Sequence, residues 1–180
     1  MADYIKIGRR LRWRQAVEAD VDYIMEAENR AENVDFIMPD TRELHLSTLR
    51  TADLCHIIIE EIETGETIGY LMIAGLANPS NEIEWRRIVI DKKGQGYGHE
   101  TLAMLEAWSF DDLKMHRGWL DAKDYNARAL HVYETAGLKR EALLRETVLH
   151  NGVYENLVIL GILDREYYEL KEKGAIPTCD

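Results

Sequence analysis

Three glycines at alternate positions, Gly94, Gly96 and Gly98, follow an apolar run and precede a helical pattern. Glycine has no Cβ, so the backbone can approach a ligand closely, and the free amides and dipole of a helix's first turn favour negative charge. The loop is therefore suited to a phosphate or diphosphate, although a plain strand-to-helix turn uses the same residues. The spacing differs from the dinucleotide-binding fingerprint, and no Gly-Lys-Ser/Thr follows as a P-loop requires.

A second pair of polar residues, Asn126 and Tyr133, lies on a segment with helical periodicity. Their separation corresponds to about two helical turns, so both side chains lie on one face. The simplest interpretations are that Asn126 caps the helix and that Tyr133 packs with its hydroxyl bonded. A phenol can also donate a proton to a leaving group, which makes Tyr133 a candidate general acid.

Glu84 lies on an apolar segment that leads into the glycine loop. Side chains of a strand alternate between two faces, so Glu84 shares a face with Arg86, and Ile88 and Ile90 follow on that face. A carboxylate there can take a proton from a reacting group, which makes Glu84 a candidate general base. A surface ion pair with Arg86 or Arg87 is the open alternative.

Both motifs resemble those of a known family. Residues 93–98, Lys-Gly-Gln-Gly-Tyr-Gly, resemble motif A of the GNAT superfamily of N-acetyltransferases, written Arg/Gln-x-x-Gly-x-Gly/Ala, with Lys93 in place of the usual first residue. Residues 126–138, with Asn first, a Tyr two turns on and a Gly before an apolar residue, resemble motif B. The resemblance extends over residues 11–163 and is closest to the branch of polyamine and ribosomal-protein alanine acetyltransferases.

The resemblance implies direct transfer of the acetyl group from acetyl-CoA to a primary amine in a ternary complex. It implies that Glu84 is the base, directly or through water, and that Tyr133 is the acid. The acceptor is expected to be a small amine such as a polyamine; a protein N-terminus and a noncatalytic CoA-binding regulatory module are the alternatives. The residues expected to bind the coenzyme are Ile88, Val89, Ile90, Lys93, Gly94, Gln95, Gly96, Tyr97, Gly98, His99, Asn126 and Tyr133.

The elements that must position these residues follow from periodicity and turn signals. They predict an α/β (α+β) fold with a mixed, mostly antiparallel sheet of six to seven strands and helices on both faces. Strands are expected at residues 11–17, 54–62, 67–73, 82–90, 118–122, 142–150 and 153–163. Helices are expected at residues 19–32 and 41–49, from the glycine loop to about 113, at 126–136 and at 164–173.

Composition limits the partners. The formal net charge of −11 argues against a nucleic-acid backbone and is compatible with a cationic acceptor. No run of about 18 apolar residues and no signal-peptide pattern occurs, so we expect a cytoplasmic protein without a membrane anchor. One domain over residues 1–180 is expected, with its core at 11–163 and a charged tail at 164–180, and a homo-oligomer is compatible with the sequence.

Cysteine and histidine provide no further chemistry in the sequence. Cys55 and Cys179 form neither a metal-binding spacing nor a disulfide framework, and Cys55 is expected to be a buried, inert thiol. The six histidines include no metal-binding pair one helical turn apart, so we expect them at the surface or in packing positions and expect no metal.

Overall fold

The structure is a computed structural model that describes residues 3–176. Its strands are β1 (Tyr4–Ile7), β2 (Leu11–Gln15), β3 (Leu54–Glu61), β4 (Thr67–Ala74), β5 (Glu82–Ile90), β6 (Arg117–Lys123), β7 (Lys139–His150) and β8 (Val153–Leu163). Its α-helices are α1 (Val21–Glu28), α2 (Arg42–Thr48), α3 (Tyr97–Glu106), α4 (Ala127–Thr135) and α5 (Asp164–Glu172).

The strands form one sheet in the order β1-β2-β3-β4-β5-β6-β8-β7. Neighbouring strands are antiparallel except β5 and β6, which are parallel. A parallel pair needs a crossover, and α3 provides it. Helices α3, α4 and α5 pack their apolar residues with one face of the sheet, and α1 packs on the other. The predicted fold class is therefore confirmed.

The described sheet has eight strands, one more than the largest number expected. The additional strand is β1, which pairs with β2 so that Tyr4 lies opposite Arg14 and Ile7 opposite Arg12. No side chain of β1 is fully buried. Four residues without a buried face are too short for alternation to mark a strand, which explains why the sequence analysis missed it.

One predicted helix is too long, and another changes its hydrogen-bonding pattern before its predicted end. Helix α1 ends at Glu28, because the Asn29 side chain donates to the Met25 carbonyl (2.8 Å) and the chain turns there. Residues 29–41, called here the α1–α2 segment, contain turns and extended chain. Helix α3 ends at Glu106 and continues as a π-helical stretch, Ala107–Asp112, which simple 3.6-residue periodicity does not reveal.

A β-bulge interrupts the alternation of β5. Arg87 lies opposite Met72 on β4 and Glu84 opposite Ala74, so three steps along β5 match two along β4. Beyond the bulge the faces are exchanged, because Ile88 packs in the same core cluster as Trp85. The prediction that Glu84 and Ile88 share a face is therefore wrong.

The remaining expectations concern the cysteines, the histidines and membrane-spanning helices. Cys55 is buried and its thiol is reduced, while Cys179 lies outside the described residues. His45 and His56 are fully buried and contact each other through their ring nitrogens (3.3 Å), and His45 also contacts Glu28 (3.2 Å). Within residues 3–176, the helices are all too short or too polar to cross a bilayer.

Glu106, at the end of α3, is fully buried, and among residues 3–176 neither of its carboxylate oxygens has a hydrogen-bond partner. Burial raises the pKa of this carboxyl from 4.5 to about 8. A buried carboxyl without a cationic partner avoids the charged form by keeping its proton. The fold therefore holds a neutral acid at the end of α3, the helix that follows the glycine loop.

Glu106→Gln is expected to stabilise the protein at pH 8. The folded pKa lies above the unfolded one, so the group's contribution to stability is complete below about pH 4.5 and is lost as pH rises toward 8. The amide mimics the protonated acid, so the free energy of unfolding at pH 8 should rise by on the order of 3 kcal/mol and change little at pH 4.5. Chemical denaturation at both pH values measures this. The exposed Glu63→Gln is the control, and a loss of stability at both pH values would contradict a neutral Glu106.

Candidate active site

The site begins where two parallel strands separate. β5 and β6 pair only from Glu82 opposite Arg117 to Glu84 opposite Trp119. After that point β5 remains paired with β4, and β6 remains paired with β8 to its last residue. The two strands therefore diverge and leave a gap inside the sheet, called here the fork.

The backbone of β5 offers hydrogen-bonding groups to the fork. The amide of Asp91, just after β5, donates to the carbonyl of Ile68 on β4 (2.8 Å). Backbone groups of successive residues alternate in direction, so those of Val89 point to β4 and those of Ile88 and Ile90 point to the fork. An extended ligand can bind there like an added strand.

The fork opens onto the glycine loop. Gly94 and Gly96 have φ angles of +79° and +80°, which side-chain-bearing residues rarely adopt. A Cβ at Gly94 or at Gly98 would meet no atom within 4 Å, so the space over the loop is open. No side chain caps the start of α3, and its first-turn amides are available to an anion.

Arg10 supports the loop from the start of β2, a role that the sequence analysis missed. Its Nη1 donates to the carbonyl of Gln95 (3.0 Å), and its Nε donates to Glu100 (2.7 Å). Its guanidinium also lies over the ring of Tyr97, 4.4 Å from the centroid. These contacts hold the loop in shape from the side opposite the ligand space.

A cavity of about 390 Å³ joins the fork, the glycine loop and the start of α4. Eight of the predicted coenzyme-binding residues line this cavity, namely Ile88, Val89, Ile90, Lys93, Gly94, Gly98, Asn126 and Tyr133. Among the described residues the other four do not line it, namely Gln95, Gly96, Tyr97 and His99. The Tyr97 side chain is buried and donates to Glu61, and His99 Nε2 lies 3.5 Å from Thr135 Oγ1. Only the backbone of these four residues is suited to the predicted role.

Asn126 and Tyr133 both reach the cavity from α4. Asn126 Oδ1 accepts from the amide of Ala129 (3.2 Å), so this residue caps the helix as well as lining the wall. Burial and the charge of Asp121 raise the pKa of Tyr133 to about 12. The phenol therefore keeps its proton at neutral pH, as a proton donor must.

Two carboxylates lie at the fork, one on each strand. Glu84 is in an ion pair with Arg86 (Oε2 to Nη2, 2.7 Å), which is the alternative that the sequence left open, and its side chain does not line the cavity. Asp121 on β6 does line it. Burial and the negative charge of Glu84 raise the pKa of Asp121. The sequence analysis missed this residue, although a carboxylate between Leu120 and Ala122 in an apolar strand was a usable signal.

Positive charge collects beside the glycine loop. Lys93 and Arg128 line the cavity there. Lys93 Nζ donates to Asn33 Oδ1 (2.6 Å) and to the carbonyl of Glu32 (3.2 Å), both on the α1–α2 segment. Cations next to unsatisfied helix amides make this end of the cavity suited to phosphate groups.

The family model of the acetyltransferase (GNAT) domain matches residues 10–139, which include Arg10, β5, the glycine loop and α4. The chain belongs to the GNAT family. The resemblance that the two motifs indicated is therefore confirmed. The residues that line the cavity all lie within the matched range except Val148 on β7 and Leu157 on β8.

Individual relatives match over shorter stretches. The chain is 32% identical over 71 residues to the probable N-acetyltransferase YjcK of Bacillus subtilis, which is 39% of each protein. It is 28% identical over 85 residues to the spermidine N(1)-acetyltransferase of Vibrio cholerae, which is 47% of this chain and 49% of the relative. The matches thus span about half or less of the length of these curated relatives.

Solved structures of a spermidine N-acetyltransferase from Vibrio cholerae share the fold. The complex with CoA and spermine gives a TM-score of 0.79 at 21% identity, over 88% of this chain and 98% of that one. A dodecameric structure in an intermediate state gives 0.74 at 22% identity, over 88% and 96%. The roles of the individual site residues, the extent of the domain and the oligomeric state stay predictions for this GNAT chain.

Gly98→Val is expected to weaken coenzyme A binding by at least about tenfold. The new side chain would enter the open space over the loop, and the φ of Gly98 is not in the left-handed region, so the fold itself should tolerate it. Isothermal titration calorimetry measures the affinity, and thermal unfolding without coenzyme measures the fold. Ala127→Val, at an exposed first-turn position of α4, is the control. Unchanged affinity in Gly98→Val would remove the loop from the binding site.

Proposed function

We propose that this chain is an acetyl-CoA-dependent N-acetyltransferase whose acceptor is the primary amine of a small molecule. The observation that carries the proposal is the single cavity in which free β5 backbone, the glycine loop and a protonated Tyr133 meet. A cofactor with an anionic end and an extended arm matches this order of groups. Family membership supports the same reaction.

The coenzyme would lie along the fork. Its diphosphate would accept hydrogen bonds from the glycine-loop and first-turn amides, beside Lys93 and Arg128. Its amide-containing arm would pair with the backbone of Ile88 and Ile90, and one of these amides would polarise the thioester carbonyl. This orientation brings the thioester toward Tyr133.

The acceptor must first lose a proton, because an alkyl ammonium has a pKa of about 10 and no lone pair. We assign this step to the carboxylates at the fork. Glu84 takes the proton through water, or Asp121 takes it directly, and the second assignment is favoured by the position of Asp121 in the cavity wall. The amine nitrogen then attacks the thioester carbon and the C–S bond breaks while the Tyr133 hydroxyl gives its proton to the departing sulfur. The nitrogen loses its second proton to water as the amide forms, and solvent returns a proton to Tyr133.

A polyamine fits the acceptor role. The similar proteins from Vibrio cholerae carry the name spermidine N-acetyltransferase, and one was solved with CoA and spermine. The net charge of −11 attracts a polycation, and a methylene chain suits the apolar lining of Met38, Val148 and Leu157. Acetylation of a protein N-terminus and noncatalytic coenzyme binding are the alternatives.

A thiol-release assay with acetyl-CoA and an amine panel tests the proposal. Spermidine and spermine should release free thiol faster than an amino sugar or a peptide with a free N-terminus. Tyr133→Phe, which removes only the donor proton, should lower kcat by about 100-fold and leave coenzyme affinity unchanged.

Three outcomes of that assay are informative. A faster reaction with the peptide would select the N-terminal acetyltransferase instead. Coenzyme binding without turnover on any amine would select the noncatalytic module. Equal turnover by wild type and Tyr133→Phe would reject the assignment of the acid while leaving the reaction intact.

Glu84→Gln is expected to shift the pH profile rather than abolish activity. The charge of Glu84 raises the pKa of Asp121, so its removal lowers that pKa. A base acts only when deprotonated, so the rise of kcat/KM with pH should move to lower pH. The measurement is kcat/KM against pH for wild type, Glu84→Gln and Asp121→Asn. Loss of activity in Glu84→Gln with full activity in Asp121→Asn would make Glu84 the base.

A further inference from the structure

The α1–α2 segment forms one wall of the cavity opposite the fork. It contributes Glu32, Asn33, Phe36, Ile37 and Met38 to the lining. Because the segment is neither helix nor strand, it has no regular series of backbone hydrogen bonds, and its position depends on contacts with other elements. Besides the Tyr125 hydroxyl on the Asp35 carbonyl and the ion pair of Arg30 with Asp91, three cations that line the cavity make such contacts.

Arg87 on β5 makes the most extensive of these contacts. Its Nη1 donates to Glu28, the last residue of α1, and lies 3.1 Å from Asp40 Oδ2. Its Nη2 donates to the carbonyl of Met38 (3.1 Å). The planar guanidinium of Arg87 thus joins three points to β5. They are Glu28, just before the segment, the lining residue Met38, and Asp40 near the end of the segment.

Glu28, the carboxylate that pairs with Arg87, is held in place by further hydrogen bonds. The Glu28 side chain is fully buried, and it accepts from the Tyr70 hydroxyl (2.5 Å) and from the amide of Asp40 (2.9 Å). Burial opposes its ionisation, but the hydrogen bond from His45 and the charge of Arg87 outweigh burial and lower the pKa of Glu28 to about 2. The pair therefore stays charged throughout the neutral range.

The same cluster has the composition of a metal site. Glu28, Asp40 and His45 bring three potential ligand atoms within 4.8 Å of one another. Arg87 Nη1 contacts two of these three residues, so the protein's own cation already occupies the charge-balancing position. The geometry thus favours a fixed structural cation that belongs to β5.

Two more cations hold the segment at other points. Lys123 on β6 donates from Nζ to the carbonyl of Asp35 (2.8 Å) and is paired with Glu155 (2.7 Å). Lys93 of the glycine loop bonds Asn33 and the Glu32 carbonyl. Arg87 differs from both because it contacts the base of the segment as well as its lining residue.

We infer that Arg87 is a positioning residue for the acceptor amine: it holds the α1–α2 segment against β5 at the distance the acceptor requires. This inference rests on the proposed function. Arg87 lines the cavity, but its guanidinium is hydrogen-bonded to Glu28, Asp40 and the Met38 carbonyl, so we assign it a positioning role and no step of the reaction. It acts by fixing Met38 and its neighbours, so its loss should affect amine binding and spare the coenzyme.

Steady-state kinetics of Arg87→Ala test the inference. The charge of Arg87 also lowers the pKa of Asp121, so the kinetics are measured at a pH where kcat no longer rises with pH. There the amine KM is expected to rise about tenfold or more, while kcat at saturating amine and the acetyl-CoA KM change by less than about threefold. Arg14→Ala is the matched control, because Arg14 is also a partly buried arginine bound to two carboxylates, Asp20 and Glu60, away from the cavity. Arg87→Lys keeps the charge beside Glu28 and should restore part of the amine KM.

A readout without turnover separates this inference from the proposed function. Chymotrypsin cleavage after Phe36 should be at least about tenfold faster in Arg87→Ala than in wild type or Arg14→Ala, because the segment loses its anchor. If Arg87→Ala is too unstable, Arg87→Lys serves in both measurements with smaller changes in the same direction. An unchanged amine KM and cleavage rate would overturn the inference, as would equal increases in both substrates' KM values. A wild type without turnover but with protected Phe36 would instead reject the proposed function alone.

Discussion

Unpaired backbone at the fork is the constraint on which the rest of the site depends. Buried amide and carbonyl groups need partners, and a sheet normally supplies them from the next strand. β6 does not do so, because its pairing with β5 ends at Glu84 opposite Trp119 and the two strands separate beyond that point. The groups of Ile88 and Ile90 are therefore left for a ligand of extended shape. The glycine loop, Tyr133 and the two fork carboxylates lie where such a ligand would end or react.

Much of this fold was predictable, because hydrophobic periodicity and turn residues mark its elements within short segments of sequence. The bounds of β5 and β8 agree with their predicted ranges, since alternating or apolar runs between turn residues mark both strands. The bulge in β5 was not predictable from alternation. It depends on how Trp85 packs beneath the sheet while Arg87 reaches Glu28 on the other side, and both are tertiary contacts.

The site residues also fall into those that the sequence identified and those that it did not. The glycine loop, Asn126 and Tyr133 were identifiable because their spacing repeats a family motif within one short segment. Asp121, Arg10 and Arg87 were not, since each acts through partners far away in the sequence, such as Gln95 for Arg10 and Glu28 for Arg87. Sequence reasoning gave the role of the base to Glu84, whereas packing brings Asp121 into the cavity wall. Short motifs thus identify residues that set the backbone geometry, but they do not identify side chains whose role depends on charges brought near by the fold.

The short parallel pairing also divides the sheet mechanically. Only three residue pairs join β5 to β6, whereas seven join β6 to β8, so the strands before and after this seam form two half-sheets. The three pairs end where the cavity begins, so the cavity lies between the two half-sheets. An extended molecule bound there would supply the backbone partners that the sheet lacks and would join the two half-sheets into one continuous surface.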